Sequence, residues 1–237
     1  MDVRRLEIDA QPDELTCGPT ALHAVYRYYG HKASLTEVIG DVPMVAGGGT
    51  LGPLLGQHAL AAGFKATLYT CNLQIFDPTW FVQGVSPFLI QKLEAQMRYK
   101  GGAKIKVATR AYAEFCRLGG ELRLGELTPE LFRRYLARGR PLLVGLSATF
   151  LYRTAREFGP NCDYDDLRGE PSGHFVVLTG FDEVEGTVTV ADPLRPNPMA
   201  SLNQTYQVDV HRLIGAIYLG VLTYDGNVLA VEPAEEA

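Results

Sequence analysis

The apolar positions of this chain change period from front to back. Ala21, Leu22, Val25, Tyr26 and Tyr29 recur at helical spacing up to Gly30. They predict an amphipathic helix with Gly18 as its N-cap and Pro19 at the first position, where the missing N–H costs nothing. Ser34 and Glu37 form a capping box for a short helix to Ile39. Thr50 caps another, with Leu51, Leu54, Leu55 and Leu60 turned inward and Gly63 as terminator. From about Pro87 to Leu118 two helical patterns are separated by Gly101-Gly102, and Thr128-Pro129-Glu130 opens a further helix through Leu136.

Strand patterns are sparse in the first half and frequent in the last third. Residues 3 to 9, Phe64 to Tyr69 and Pro141 to Leu146 read as strands, followed by His174 to Phe181, Thr187 to Ala191 and Ala216 to Tyr224. Residues 152 to 172 are polar and acidic, a solvated connection or a lid, and Glu232 to Ala237 read as a frayed tail. Helices first and strands later predict an α+β protein, an N-terminal helical half packed on a C-terminal antiparallel sheet. At 237 residues the whole chain, 1–237, reads as a single domain, with a helical insertion at about 84–139.

Composition narrows the possible functions. With 22 Lys+Arg against 27 Asp+Glu the net charge is -5, so no basic field exists to hold nucleic acid. The first nine residues lack the apolar run of a secretory signal and no apolar stretch approaches bilayer length, so the expectation is a cytoplasmic chain with no membrane span. Four cysteines, at 17, 71, 116 and 162, show neither metal-ligand spacing nor the density of a disulfide scaffold. Cys71 and Cys116 fall in core or surface patterns, and Cys162 lies in the acidic loop.

Cys17 is different. A thiol at a helix N-terminus sits at the positive end of the macrodipole, which favours the reactive thiolate. Gln11, six residues upstream, offers a side-chain amide to the oxygen of an attacked carbonyl. Far down the chain, residues 175–179 and 187–190 flank the polar run Asp182 to Gly186 as a β-hairpin. A turn centred on Glu183 places His174 opposite Asp192, on one face, at a spacing where a carboxylate reaches an imidazole. A bulge in that hairpin would turn the partner to the other face. Pro193 ends the strand after Asp192, and Gly173 leaves room for a substrate backbone.

Other motifs carry less. Residues 47–52 satisfy G-x-G-x-x-G, but no strong strand precedes them and Asn72 stands where a dinucleotide fold needs an acid. His23 and His58 lie on helices without ligand spacing, and no metal or cofactor is called for. Tyr26, Tyr28 and Tyr29 read as packing residues.

The blocks Gln11-Pro12-Asp13-Glu14-Leu15-Thr16-Cys17-Gly18-Pro19-Thr20-Ala21-Leu22 with Tyr28-Tyr29-Gly30, and Gly173-His174-Phe175-Val176-Val177-Leu178-Thr179-Gly180 through Val190-Ala191-Asp192-Pro193, resemble the bacteriocin-processing cysteine peptidases that cut after double-glycine leaders, a papain-like group. The resemblance implies a Cys17-His174-Asp192 triad with Gln11 in the oxyanion hole, and a peptide or peptidyl substrate. It is to the stand-alone, peptidase-like relatives, since this chain carries neither a transporter's membrane domain nor its ATP-hydrolysing domain. The expected function is hydrolysis of a peptide bond through a thioester acyl-enzyme. An acyltransferase or amidase using the same triad, and a silent peptide-binding module that kept the fold, are the alternatives.

Overall fold

The computed structural model describes residues 5–46, 48–82, 85–200 and 204–234. In chain order the elements are α1 (Cys17–Tyr28), α2 (Leu35–Asp41), α3 (Gly52–Ala61), β1 (Phe64–Thr70), α4 (Leu89–Gln96), α5 (Ala103–Arg117), β2 (Glu121–Leu124), α6 (Pro129–Leu136) and β3 (Leu142–Ser147). They continue with α7 (Ala148–Tyr152), β4 (Glu157–Phe158), β5 (Asp163–Tyr164), β6 (Gly173–Asp182), β7 (Thr187–Ala191), β8 (Thr205–Asp209), α8 (Val210–Leu219) and β9 (Asn227–Pro233).

Seven strands form one sheet in the order β2-β1-β9-β3-β6-β7-β8. Every neighbouring pair is antiparallel except β1 and β2. The central strand β3 is buried along its whole length, because helices cover both faces of the sheet. On one face Leu22 and Val25 of α1 join Leu55, Phe115, Phe175, Val177 and Leu229 in one cluster. On the other, Phe132, Leu213 and Ile217 join Val176, Leu178 and Val228. Each such side chain, taken fully out of water, contributes about 1.5–3 kcal/mol.

The α+β reading holds, and so do α3, α4, α5, α6, β1, β3, β6 and β7 close to their expected bounds. The Ser34–Glu37 capping box is present, with Ser34 N–H donating to Glu37 and Glu37 N–H returning to the Ser34 hydroxyl. Several details differ. Residues 216–224 are not a strand but the end of α8 and a 3₁₀ turn, Gly220–Thr223. The run is apolar throughout, so its period is ambiguous, whereas the cap at Asp209, whose side chain accepts from Arg212 N–H, marks the helix start. Residues 5–9 form no strand, and the start of that segment lies outside the described residues.

The tail reading also fails in part, since Glu232 and Pro233 belong to β9, which pairs between β1 and β3. Glu232 also forms an ion pair with Arg140. Thr50 does not cap α3: Leu51 holds that position, while the Thr50 hydroxyl donates to Pro43 O. The 152–172 connection contains the small β4–β5 hairpin, stapled by Glu157 to Glu170 backbone bonds. Tyr26 packs as expected, stacked on Phe64 at a 5.0 Å centroid distance. No described helix is long and apolar enough to cross a membrane.

Candidate active site

The loop before α1 is tightened by its own polar side chains. Asp13 Oδ1 accepts from Leu15 N–H at 2.8 Å, and the Thr20 hydroxyl and backbone N–H both donate to Thr16 O. Thr16 is the N-cap and Cys17 the first helical residue, so the helix starts two residues earlier than a Gly18 cap would put it. The thiol therefore sits inside the first turn, 8% exposed. The backbone N–H groups of Cys17 and Gly18 have no intrahelical acceptor, and Pro19 carries none to offer. Gly18 is fixed by packing: a Cβ there would meet Thr50 Cγ2 at 2.6 Å and Phe175 Cδ2 at 3.2 Å. That close approach seats the helix start on the sheet beside β6.

His174 and Asp192 meet. Imidazole Nε2 lies 2.8 Å from Asp192 Oδ1, with the histidine 6% exposed and the aspartate sealed. The route to this contact differs from the expected one. The hairpin closes with Asp182 opposite Thr187, so its turn is centred later than Glu183, and 174 and 192 are not ladder partners. In that register alone, His174 and Asp192 would face opposite sides of the sheet. A bulge between Leu178 and Gly180 shifts the ladder by one, to Val177 opposite Ala191. One more step places Asp192 across from Val176, on the same side as His174 and diagonal to it. The bulge supplies the contact rather than destroying it.

Asp192 accepts from more groups than the sequence suggested. Tyr152 and Tyr206 each donate a phenol O–H to Oδ2 at 2.7 Å, and Leu194 N–H donates to Oδ1 at 2.9 Å. Tyr152 ends α7 and Tyr206 lies in β8, and neither has a local motif that would have marked it. Burial alone would raise the Asp192 carboxyl, but His174, Leu194 and Tyr206 overcome it and hold it down at about 2. For His174 burial works against the charged ring, while Asp192 and then Cys17 favour it, and the imidazole rises to about 10. The Tyr206 phenol is pushed up by burial and by the adjacent carboxylate. These shifts favour an imidazolium and a carboxylate in contact, with Cys17 among the groups that raise the ring.

Gln11 is tied to this centre through its backbone, whose N–H donates to Pro193 O at 2.9 Å. Gln204 clamps the same two segments, its side-chain amide donating to Asp9 O and Asp192 O. The Gln11 side chain spends one N–H on Asp13 O at 2.8 Å, which leaves a second for an incoming oxygen. Its Oε1 is buried without a partner among the described residues.

The remaining candidates lie elsewhere. His23 approaches Asp9 at 3.5 Å, His58 bonds the Tyr26 hydroxyl at 2.8 Å, and the pair does not converge. Cys71 and Cys116 are half-buried thiols raised to about 11 by burial. Cys162 is exposed in the 152–172 connection. Among the described residues no group of three His, Cys, Asp or Glu could hold a metal ion.

The elements form an α+β architecture, one mixed sheet with helices on both faces. Residues 103–212 match the profile of the Peptidase_C39 like family. That span contains His174 and Asp192 but neither Gln11 nor Cys17. Among solved structures, a protein from Bacillus anthracis described as C39-like superposes with a TM-score of 0.52 at 13% identity, over 98% of this chain and 96% of that one. A double glycine motif protease from an AMS/PCAT transporter, in complex with its leader peptide, gives a TM-score of 0.46 at 14% identity over 97% and 93% of the two chains. The peptidase domain of Streptococcus ComA gives 0.46 at 13% identity, over 97% and 100%. No curated protein matches this chain.

Proposed function

We propose that this protein is a cysteine peptidase that hydrolyses a peptide bond through Cys17, His174 and Asp192, with Gln11 contributing to the oxyanion hole. The observation that carries the reading is the buried 2.8 Å contact of His174 Nε2 with Asp192 Oδ1, with Cys17 at the start of α1 among the groups that raise the imidazole. In this reading Cys17 Sγ attacks the carbonyl carbon as a thiolate while the imidazolium balances its charge. The oxygen, now negative, takes hydrogen bonds from Cys17 N–H and the free N–H of Gln11. His174 then gives its proton to the leaving amine, and the C–N bond breaks to leave a thioester. Water attacks the thioester, His174 takes its proton, and the acid and free thiolate are released. Asp192 keeps the ring oriented throughout and stabilises its charged form whenever it holds the proton.

An amine or thiol entering in place of water would make the same centre an acyltransferase. In this reading the expected insertion at about 84–139, whose first residue lies outside the described residues, comprises the helices α4, α5 and α6 with the edge strand β2 in a single catalytic domain. The test is Cys17→Ala, which is expected to abolish both peptide turnover and labelling by a thiol-directed acylating probe while circular dichroism stays unchanged. A folded variant with full turnover would overturn the proposal. Gln11→Ala is expected to lower kcat by about 100-fold or more, the usual loss for one oxyanion donor.

A further inference from the structure

Asp225 is a second buried carboxyl close to this centre, and neither the triad nor the oxyanion hole uses it. It is 9% exposed and follows Tyr224, whose φ of 72° turns the chain into β9. A Cβ on Gly173, the residue before His174, would fall 1.7 Å from Asp225 Oδ2, so the carboxyl lies directly over the start of β6. One aromatic ring links it to the nucleophile. Phe175 would touch a Cβ on Gly18 at 3.2 Å and one on Gly145 at 2.8 Å, and the Gly145 position also abuts the Asp225 carbonyl. Gly173 is bonded to His174, so the carboxyl stands within about 7 Å of the His174 backbone, about the reach of two extended substrate residues.

The carboxyl has little to balance it. Among the described residues it forms no ion pair, and its polar neighbour is the Thr223 hydroxyl, which itself donates to Gly220 O. The nearby Lys104 and, less, His174 ease its charge from a distance, but the Lys104 ammonium lies 5.2 Å from the centroid of the Tyr224 ring and the His174 ring is committed to Asp192. Burial pushes the carboxyl up to about 7. Two residues on, Asn227 is 1% exposed, and neither its Oδ1 nor its Nδ2 has a partner among the described residues. Buried polar groups left without partners cost stability unless an occupant supplies the missing bonds.

We infer that Asp225 floors a cation subsite beside Cys17 that receives an ammonium or guanidinium group of the substrate within about two residues of the scissile bond. A carboxylate short of a counter-ion selects a cation, and the ion pair it forms there is screened less than one at the surface. The inference rests on the peptidase reading for what the subsite serves, but its binding can be read without chemistry.

The experiment uses Cys17→Ala protein and N-acetylated peptides carrying lysine or norleucine within two positions of the bond cleaved by the wild type, or of each amide in turn if none is cleaved. Calorimetry is expected to give at least about tenfold tighter binding of the lysine peptide, the scale of a charged hydrogen bond. Adding Asp225→Asn should remove the difference. Removing a buried charge without a partner is neutral or stabilising, so that variant should fold, and the two peptides already decide the matter without it. Equal affinity in the protein with Asp225 intact, or a preference that survives Asp225→Asn, overturns the subsite. A parallel pair with a free N-terminus and norleucine tells a substrate α-amine from a side chain. Lysine preference without any labelling of Cys17 by peptidyl probes would keep the subsite and sink the peptidase reading.

Discussion

Asp192 and Asp225 are both buried aspartates that feel the charge of His174, yet their environments drive them apart. Asp192 accepts from an imidazolium, two phenols and a backbone N–H, which together outweigh the cost of burial. Asp225 has a threonine hydroxyl and a distant lysine, and burial wins. Depth does not set the charge of a carboxyl; the number and orientation of its donors do. The first arrangement suits a group that must stay ionised while a proton moves on its neighbour. The second suits one that completes its charge balance with a ligand.

The strongest way to break this contrast is Asp192→Ala. It strands a buried imidazolium and two phenols, with an expected loss of about 3–5 kcal/mol in denaturant unfolding. Losing the orienting carboxylate should also lower kcat by as much as about 10⁴-fold. Tyr206→Phe removes one charged hydrogen bond and should cost about 1.5–3 kcal/mol, with the His174 pKa moving by NMR titration. Tyr152→Phe should behave alike, and an unchanged stability in both would mean the phenols merely fill space.

On the other carboxyl, Gly173→Ala drives a methyl into Asp225 Oδ2 and should cost about 1–3 kcal/mol, partly restored when Asp225→Ala is added. Absence of that coupling in thermal unfolding would show that the chain bends away instead.

The last contrast is in the pH profile. His174, raised from an ordinary 6.5 to about 10, contributes stability that is full below pH 6.5 and lost as pH rises through 10. Asp192, lowered from 3.8 to about 2, contributes stability present above pH 3.8 and lost as pH falls through 2. Asp225 has the opposite sign to Asp192: raised from 3.8 to about 7, its contribution is full below pH 3.8 and lost as pH rises through 7. Asp225→Asn should therefore gain stability over the wild type between pH 4 and 7 and hold that gain above. Melting curves at pH 4, 7 and 9 that run parallel would remove the distinction between the two aspartates.

Local patterns in the chain marked much of the fold. The Ser34–Glu37 box, the Gly63 stop, the Gly101-Gly102 break and the Thr128-Pro129 start all rest on bonds between near neighbours, and each stands where its residues place it. Strand β9 escaped because its burial comes from β1 and β3, far away in sequence. The 216–224 run was misread because an apolar stretch has no period to read.

By itself the sequence determined which residue types stand ready for thiol chemistry, and that His174 and Asp192 flank one hairpin. Only the folded chain decided that they touch, because a single extra residue near Thr179 reverses the facing of everything beyond it. It alone also set the charges: Tyr152, Tyr206 and His174 converge on Asp192 from separate elements, while among the described residues no comparable donors reach Asp225. Register and electrostatics are long-range sums over neighbours in space, and a sequence names the groups without saying which of them become neighbours.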